Sequence, residues 1–205
     1  MIEYDPHPVP AHGSASATVF LINEAPGPVE AYYGIPSVGA QGGNLYRALR
    51  KAGIQWACEA PAFTWPRKIQ FQYKDPDKQQ QKFDRRDEFL DIRKQFITCS
   101  NAYDRRPRSA KSRNDWVAPE AERVLSDDNV DRLRNEINPD SHRVLLICGE
   151  FAWLACTGRV LHNPARHEGT KVGEDLHRIN SRLQATFSFA WYMGHTRRWA
   201  MNYQR

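Results

Sequence analysis

Residues 18 to 43 read TVFLINEAPGPVEAYYGIPSVGAQGG, and this stretch decides how the chain is interpreted. Its first five residues form a short apolar, β-branched run, which is typical of a buried strand. A carboxylate, Glu24, follows the strand and precedes the tripeptide Ala25–Gly27. Proline fixes its own backbone angle and glycine has no Cβ, so we expect a rigid turn that aims the carboxylate and lets a ligand approach the main chain.

Apolar runs alternate with helical patterns along the rest of the chain. The sequence predicts strands over residues 17 to 22, 95 to 103, 143 to 149 and 185 to 195, and helices over residues 44 to 54 and 150 to 158. This alternation predicts an α/β fold, a single three-layer α/β/α domain over residues 1 to 205, with a mostly parallel four-stranded sheet and helices on both faces. Ligands bind such sheets at the carboxyl ends of the strands, which here are Asn23–Glu24, Asn101, Gly149–Glu150 and Gly194–His195.

Residues 56 to 94 interrupt the alternation and are rich in Lys, Arg, Gln and aromatic residues. We interpret them as an insertion that carries one amphipathic helix, from about Asp84 to Gln95. Two interpretations stay open, a solvated surface arm and a lid or arm that faces nucleic acid.

Composition limits the classes of protein to which the chain can belong. With 205 residues, 40% of them hydrophobic, the chain suits one domain. No apolar run approaches the roughly 20 residues that cross a bilayer, and the N-terminus lacks the pattern of a signal peptide, so we expect an intracellular, cytoplasmic protein without a membrane partner. The net charge of +5 favours a polyanionic partner. The 4 cysteines are scattered singly, which indicates reduced structural thiols.

The loop after the first strand lacks the common nucleotide-binding motifs. Neither G-x-G-x-x-G nor G-K-[ST] occurs, so neither a dinucleotide site nor a Walker loop is predicted. Taken alone, Glu24 is as consistent with a carboxylate that caps a helix or forms a salt bridge as with a catalytic group.

Four motifs together carry a resemblance to a known family. The stretch that begins NEAPG is followed in order by ITCSNAYDRRP (97 to 107), LLICGEFAWLACTG (145 to 158) and YMGHTRR (192 to 198). This series resembles the uracil-DNA glycosylase superfamily, and is closest to its bacterial and archaeal branch with a G-E-A-P-G motif. The resemblance covers residues 18 to about 200 apart from the insertion, and the matching residues are Glu24, Ala25, Pro26, Gly27, Gly34, Pro36, Val38, Gly39, Gly42, Leu45, Asn101, Arg106, Pro107, Gly149, Ala152 and His195.

The resemblance implies a role for each residue of the pocket. Glu24 corresponds to the glutamate that orients or activates water and balances positive charge on the sugar. Asn101 corresponds to the amide that pairs with the edge of uracil and rejects cytosine. His195 corresponds to the histidine that donates to the uracil oxygen where charge gathers, and the target base is flipped out of the duplex. The turn Ala25, Pro26 and Gly27 is implied to form a wall of the pocket.

Several positions depart from the family pattern. Asn23 replaces the glycine before the glutamate, and Ser37 replaces the phenylalanine that stacks on uracil. With Ser37 in the uracil pocket, we expect either that Tyr32 or Tyr33 supplies the stacking platform or that the platform is weaker. The cysteines of the iron–sulfur members are missing, so we expect no cluster, no metal and no other cofactor.

Basic residues beyond the pocket predict contacts with DNA phosphates. They follow the asparagine motif and the last strand, and they are Arg105, Arg106, Arg108, Lys111, Arg113, Arg197 and Arg198. The leading hypothesis is a monomeric, nucleoid-associated enzyme of base-excision repair that acts on uracil in single- or double-stranded DNA. The alternatives are a glycosylase for another deaminated base and a glycosylase-like module that binds nucleic acid or protein without catalysis.

Overall fold

The computed structural model describes residues 6–38, 42, 45, 90–91, 93–105, 117–167 and 169–194. The strands are β1 Val19–Asn23, β2 Ile97–Asn101, β3 Val144–Ile147, β4 Thr170–Val172 and β5 Phe189–Tyr192. The helices with defined bounds in these residues are α1 Pro28–Tyr33, α2 Val117–Leu125, α3 Asp127–Glu136, α4 Glu150–Thr157, α5 Pro164–His167 and α6 Leu176–Leu183. None of the helices in the described part of the chain combines the length and apolar character needed to cross a membrane.

The strands form one mixed sheet in the order β2-β1-β3-β5-β4. β1 lies between β2 and β3 and pairs parallel with both, and β3 pairs parallel with β5. Parallel strands inside a sheet are buried on both faces, which explains why β1 is an unbroken apolar run up to its last residue. The register places Asn23 directly beside Asn101, so the carboxyl ends of β1 and β2 coincide.

The prediction of an α/β fold with a mostly parallel sheet is confirmed, but the predicted count of four strands is wrong. The fifth strand is β4, which pairs antiparallel with β5 at the edge of the sheet. It has only 3 residues, and Thr170 and Lys171 are both exposed. An exposed edge strand of this length has no apolar run, and therefore no hydrophobic pattern that could reveal it.

Helices α2, α3, α4 and α6 contact one another beside one face of the sheet. Their apolar side chains form the main core together with Phe20 and Ile22 of β1 and Leu145 and Ile147 of β3. Leu21 of β1 lies in a second cluster with Ile97, Cys99 and the helical residue Leu45. The alternation of β1 side chains between the two clusters is the period-two pattern of a strand that is covered on both sides.

The helix ends follow local sequence signals. Ser126 precedes α3, and its hydroxyl oxygen accepts a hydrogen bond from the Asn129 N–H at 3.4 Å. α4 ends at Gly158, where φ is 72°, as the sequence predicted from that glycine. A left-handed residue at this position is easiest for glycine because it has no Cβ.

The carboxyl end of the predicted insertion packs into the fold. Residues 90, 91 and 93 to 96 are helical, which agrees with the predicted helix near Gln95; residues 56 to 89 lie outside the described part. Arg93 is fully buried and donates hydrogen bonds to the carbonyls of Pro36 and Ser37 at 3.0 and 2.9 Å. At this end the insertion is therefore not a solvated arm, because Arg93 fastens the loop that follows α1.

His142 lies in the loop before β3 and is buried against the sheet. Its Nδ1 accepts a hydrogen bond from the Asn138 N–H at 2.9 Å, and its Nε2 lies 3.0 Å from the Thr98 hydroxyl. Because Nδ1 is an acceptor, the ring is neutral and Nε2 carries the proton. Burial lowers the pKa of His142 to about 4.

The depressed pKa of His142 predicts that stability falls in mild acid. His142 has a pKa of 6.5 in the unfolded chain and about 4 in the folded protein. Between these values protonation favours the unfolded chain, so the free energy of unfolding is highest above pH 6.5 and decreases as the pH falls towards 4. At pH 4 the loss amounts to about 3 kcal/mol in the free energy of unfolding. Urea unfolding between pH 7 and pH 4 should show a steeper loss for the wild type than for His142→Gln. Equal slopes would contradict the assignment.

Candidate functional site at the carboxyl edge of the sheet

The backbone pairing of β1 continues past the ends of the strands. The Ala102 N–H donates to the Asn23 carbonyl at 2.6 Å, and the Tyr103 N–H donates to the Glu24 carbonyl at 3.1 Å. On the other side, the Cys148 N–H donates to the Ile22 carbonyl at 2.8 Å. The main chain at Glu24 is thus held by the segments that leave β2 and β3, as expected for a rigid turn.

The Glu24 carboxylate lies at the N-terminus of α4. Its Oε1 accepts hydrogen bonds from the Glu150 N–H at 2.8 Å and from the Phe151 N–H at 3.4 Å. The first amides of a helix carry partial positive charge, so they stabilise negative charge on this oxygen. Glu24 is therefore a helix-capping carboxylate, and the same contacts fix the direction in which it points.

Gly149 makes this contact possible. Its φ is 106°, and a Cβ at this position would overlap the Glu24 carboxyl group. Only glycine adopts that backbone conformation without strain and leaves space for the carboxylate. Gly149, one of the residues that carry the family resemblance, therefore has a direct structural role at Glu24.

Asn101 is the second polar residue at this edge. Its side chain is 1% exposed, and its Nδ2 has no hydrogen-bond partner among the described residues. Its backbone carbonyl accepts a hydrogen bond from Arg132 at 2.8 Å, which anchors the residue. A buried amide donor without a partner is costly, so Asn101 is a candidate to pair with a ligand.

Asn23 and Ser37 hold each other. The Asn23 Nδ2 donates to the Ser37 hydroxyl at 2.7 Å, and both side chains are buried. Ser37 has a φ of 56°, which is unusual for a residue other than glycine. Asn23 is the last residue of β1 and has the backbone conformation of a strand. It stabilises the loop at Ser37 through its side chain. The sequence carried no signal for this pair, because the two residues are 14 positions apart.

The remaining residues of the predicted uracil pocket lie in the turn and the helix that follow Glu24. Ala25 packs against the main core and Pro26 is buried, while Gly27 precedes α1. Tyr32 and Tyr33 lie on α1 with ring centroids 4.8 Å apart in an edge-to-face arrangement, and Tyr32 is 60% exposed. An aromatic surface is thus present on the helix that follows the Glu24 turn.

Of the predicted DNA-binding residues, the structure describes only Arg105. Asp104 lies 3.8 Å from the Arg105 Nε and 3.2 Å from the Arg123 guanidinium, so this carboxylate offsets part of the local positive charge. The other predicted DNA-binding residues lie outside the described residues, and these are Arg106, Arg108, Lys111, Arg113, Arg197 and Arg198. The predicted catalytic donor His195 also lies outside them.

Three cysteines in the described part of the chain are free and buried, at positions 99, 148 and 156. Burial raises the pKa of the Cys148 thiol well above its usual value, and the neighbouring Cys99 and Glu24 add to this effect. The Cys148 thiol is therefore protonated at neutral pH. In the same described ranges, no three His, Cys, Asp or Glu side chains are grouped so that they could hold a metal ion.

Comparison with known proteins identifies no family for the chain. No protein-family model matches it, and no curated protein sequence matches it either. The function of this edge of the sheet is therefore inferred from its own residues.

The geometry at Gly149 predicts an unusually costly glycine substitution. Gly149→Ala strains the backbone and displaces the Glu24 carboxylate, so we expect the free energy of unfolding to fall by about 3 kcal/mol or more. Gly158→Ala is the matched control, because Gly158 also has a positive φ but an added Cβ would approach only the Arg182 side chain, no closer than 3.6 Å. It should cost about 1 kcal/mol. Equal losses in urea unfolding would contradict the proposed contact.

Proposed function

We propose that the chain hydrolyses the N-glycosidic bond of uracil in DNA and leaves an abasic site. The observation that carries the proposal is the buried Asn101 amide donor, which has no partner among the described residues and lies beside the Glu24 turn. Parallel sheets bind ligands at the carboxyl ends of their strands, where both residues lie. The family resemblance of the motifs supports the same assignment.

An asparagine side chain matches the pairing edge of uracil. Its Nδ2 can donate to the uracil O4, and its Oδ1 can accept from the uracil N3–H. Cytosine presents a donor and an acceptor in the reverse order, so an anchored amide rejects it. Arg132 holds the Asn101 backbone, and the buried surroundings of the side chain restrict the amide. A fixed amide discriminates better than a mobile one because it cannot turn over to suit the wrong base.

Glu24 supplies the charge that the reaction requires. As the glycosidic bond breaks, positive charge develops on the sugar, and a fixed carboxylate stabilises it while orienting the attacking water. The amides of Glu150 and Phe151 hold the carboxylate in one orientation before substrate binds. A catalytic group that is already oriented needs no reorganisation during the reaction.

The remaining predictions belong to the same proposal. They are a three-layer α/β/α domain, donation from His195 to the uracil oxygen, and stacking of the base on Tyr32 or Tyr33. They also include phosphate contacts by the basic residues named above, a monomer that works inside the cell, and hydrolysis without a cofactor. A second candidate substrate is another deaminated base. Ser37 stands where the family has a phenylalanine that stacks on uracil, and its hydroxyl is hydrogen-bonded to Asn23 and offers no stacking surface.

The proposal is tested with labelled oligonucleotides that carry one central uracil, single-stranded and in a duplex. Alkali should cleave the strand at the uracil position after incubation with the wild type. We expect Glu24→Gln to lower the rate of excision by about 10²- to 10⁴-fold, which is the usual contribution of general acid–base catalysis. Asn101→Ala should also lose most of the activity.

Stability measurements separate these effects from misfolding. Glu24→Gln keeps an oxygen that can accept from the Glu150 N–H, and Asn101→Ala removes a donor without a described partner, so neither should unfold the protein. Asn23→Ala breaks the bond to Ser37 and should cost about 1 to 3 kcal/mol. Glu122→Gln, on an exposed position of α2, is the control of unchanged activity. Binding of the oligonucleotide without excision of uracil would refute the proposal, and other damaged bases would then be compared.

A further inference from the structure

Tyr103 adjoins the Glu24 turn, and the proposed mechanism gives it no role. It lies two residues beyond the end of β2, and its side chain is fully buried. Its ring centroid is 5.6 Å from that of Phe151, whose N–H faces Glu24 Oε1 at 3.4 Å. Its own N–H donates to the Glu24 carbonyl at 3.1 Å. Tyr103 therefore lies against the main chain of Glu24 and against the first turn of α4, whose amides hold the Glu24 carboxylate.

The hydroxyl of Tyr103 has no hydrogen-bond partner within the described ranges. Phenylalanine would fill the same volume without burying a polar group, so the hydroxyl costs stability unless another molecule pairs with it. The charged groups that act on it electrostatically are Glu24 and Arg123. Burial and the negative charge of Glu24 raise the pKa of Tyr103 well above its usual value, so the phenol keeps its proton and remains available as a donor.

We propose that Tyr103 is a further catalytic residue, whose hydroxyl and the Glu24 carboxylate together hold the attacking water. This inference rests on the proposed function. The water oxygen forms a bond to the sugar C1′ while the C1′–N1 bond breaks. The electron pair of the C1′–N1 bond leaves with the uracil anion. The water proton passes to the Glu24 carboxylate, and Tyr103 keeps its own proton throughout. Two fixed contacts orient the water better than one, because they restrict its rotation as well as its position.

The experiment is single-turnover excision of uracil by Tyr103→Phe at saturating protein. We expect the rate to fall about 10-fold or more, because misplacement of a reacting group is costly. Binding of the uracil oligonucleotide should stay unchanged, and the variant should fold as the wild type does, because phenylalanine fills nearly the same volume. Tyr192→Phe is the matched control, because it removes the hydroxyl of another tyrosine of the main core, and it should keep the wild-type rate. An unchanged rate in Tyr103→Phe would overturn the inference.

A second measurement separates this inference from the proposed function. If the wild type releases no uracil, the proposed function fails. Urea unfolding then tests separately whether Tyr103 and Glu24 share a water. Tyr103→Phe is then made in the wild type and in Glu24→Gln. A water shared by the two side chains makes the change in urea midpoint differ between the backgrounds, whereas equal changes would show that the two residues act independently.

Discussion

The hydrogen bond from the Glu150 N–H to the Glu24 carboxylate joins the first strand to the helix that follows the third. Around it, parallel pairing holds the backbone of Glu24, and Gly149 leaves the space that the carboxylate occupies. α4 in turn contacts α2, α6 and β1. This contact therefore couples the orientation of the candidate catalytic group to the packing of the helix at the centre of the main core.

This contact unites two interpretations that the sequence left as alternatives. A carboxylate after a strand can cap a helix or take part in catalysis, and Glu24 does cap α4. The cap does not remove the catalytic interpretation, because helix amides stabilise negative charge and fix its direction. What distinguishes this edge from an ordinary capped helix is the neighbouring strand end, where the amide donor of Asn101 and the hydroxyl of Tyr103 are buried without partners among the described residues.

The sequence predicts the parts of the fold that depend on apolar periodicity. β1, β3 and β5 are mainly apolar runs, β2 alternates apolar with small polar residues, and Gly158 marks the end of α4. β4 was missed because an exposed edge strand needs no apolar side chains. The Asn23–Ser37 bond and the burial of Arg93 were missed because they join residues far apart in the chain, and no local pattern records such pairs. Tyr103 was missed because the sequence does not reveal that its hydroxyl is buried without a hydrogen-bond partner among the described residues.

The central claim is that Asn101 recognises the edge of uracil, and the side-chain amide signals of Asn101 in a ¹H–¹⁵N NMR spectrum test it most directly. The signals can be assigned from the spectrum of Asn101→Ala. Titration with free uracil should shift them in a saturable manner, because the unpaired Nδ2 gains an acceptor, while cytosine at the same concentrations should leave them in place. Signals that respond to neither base, or equally to both, would contradict the account.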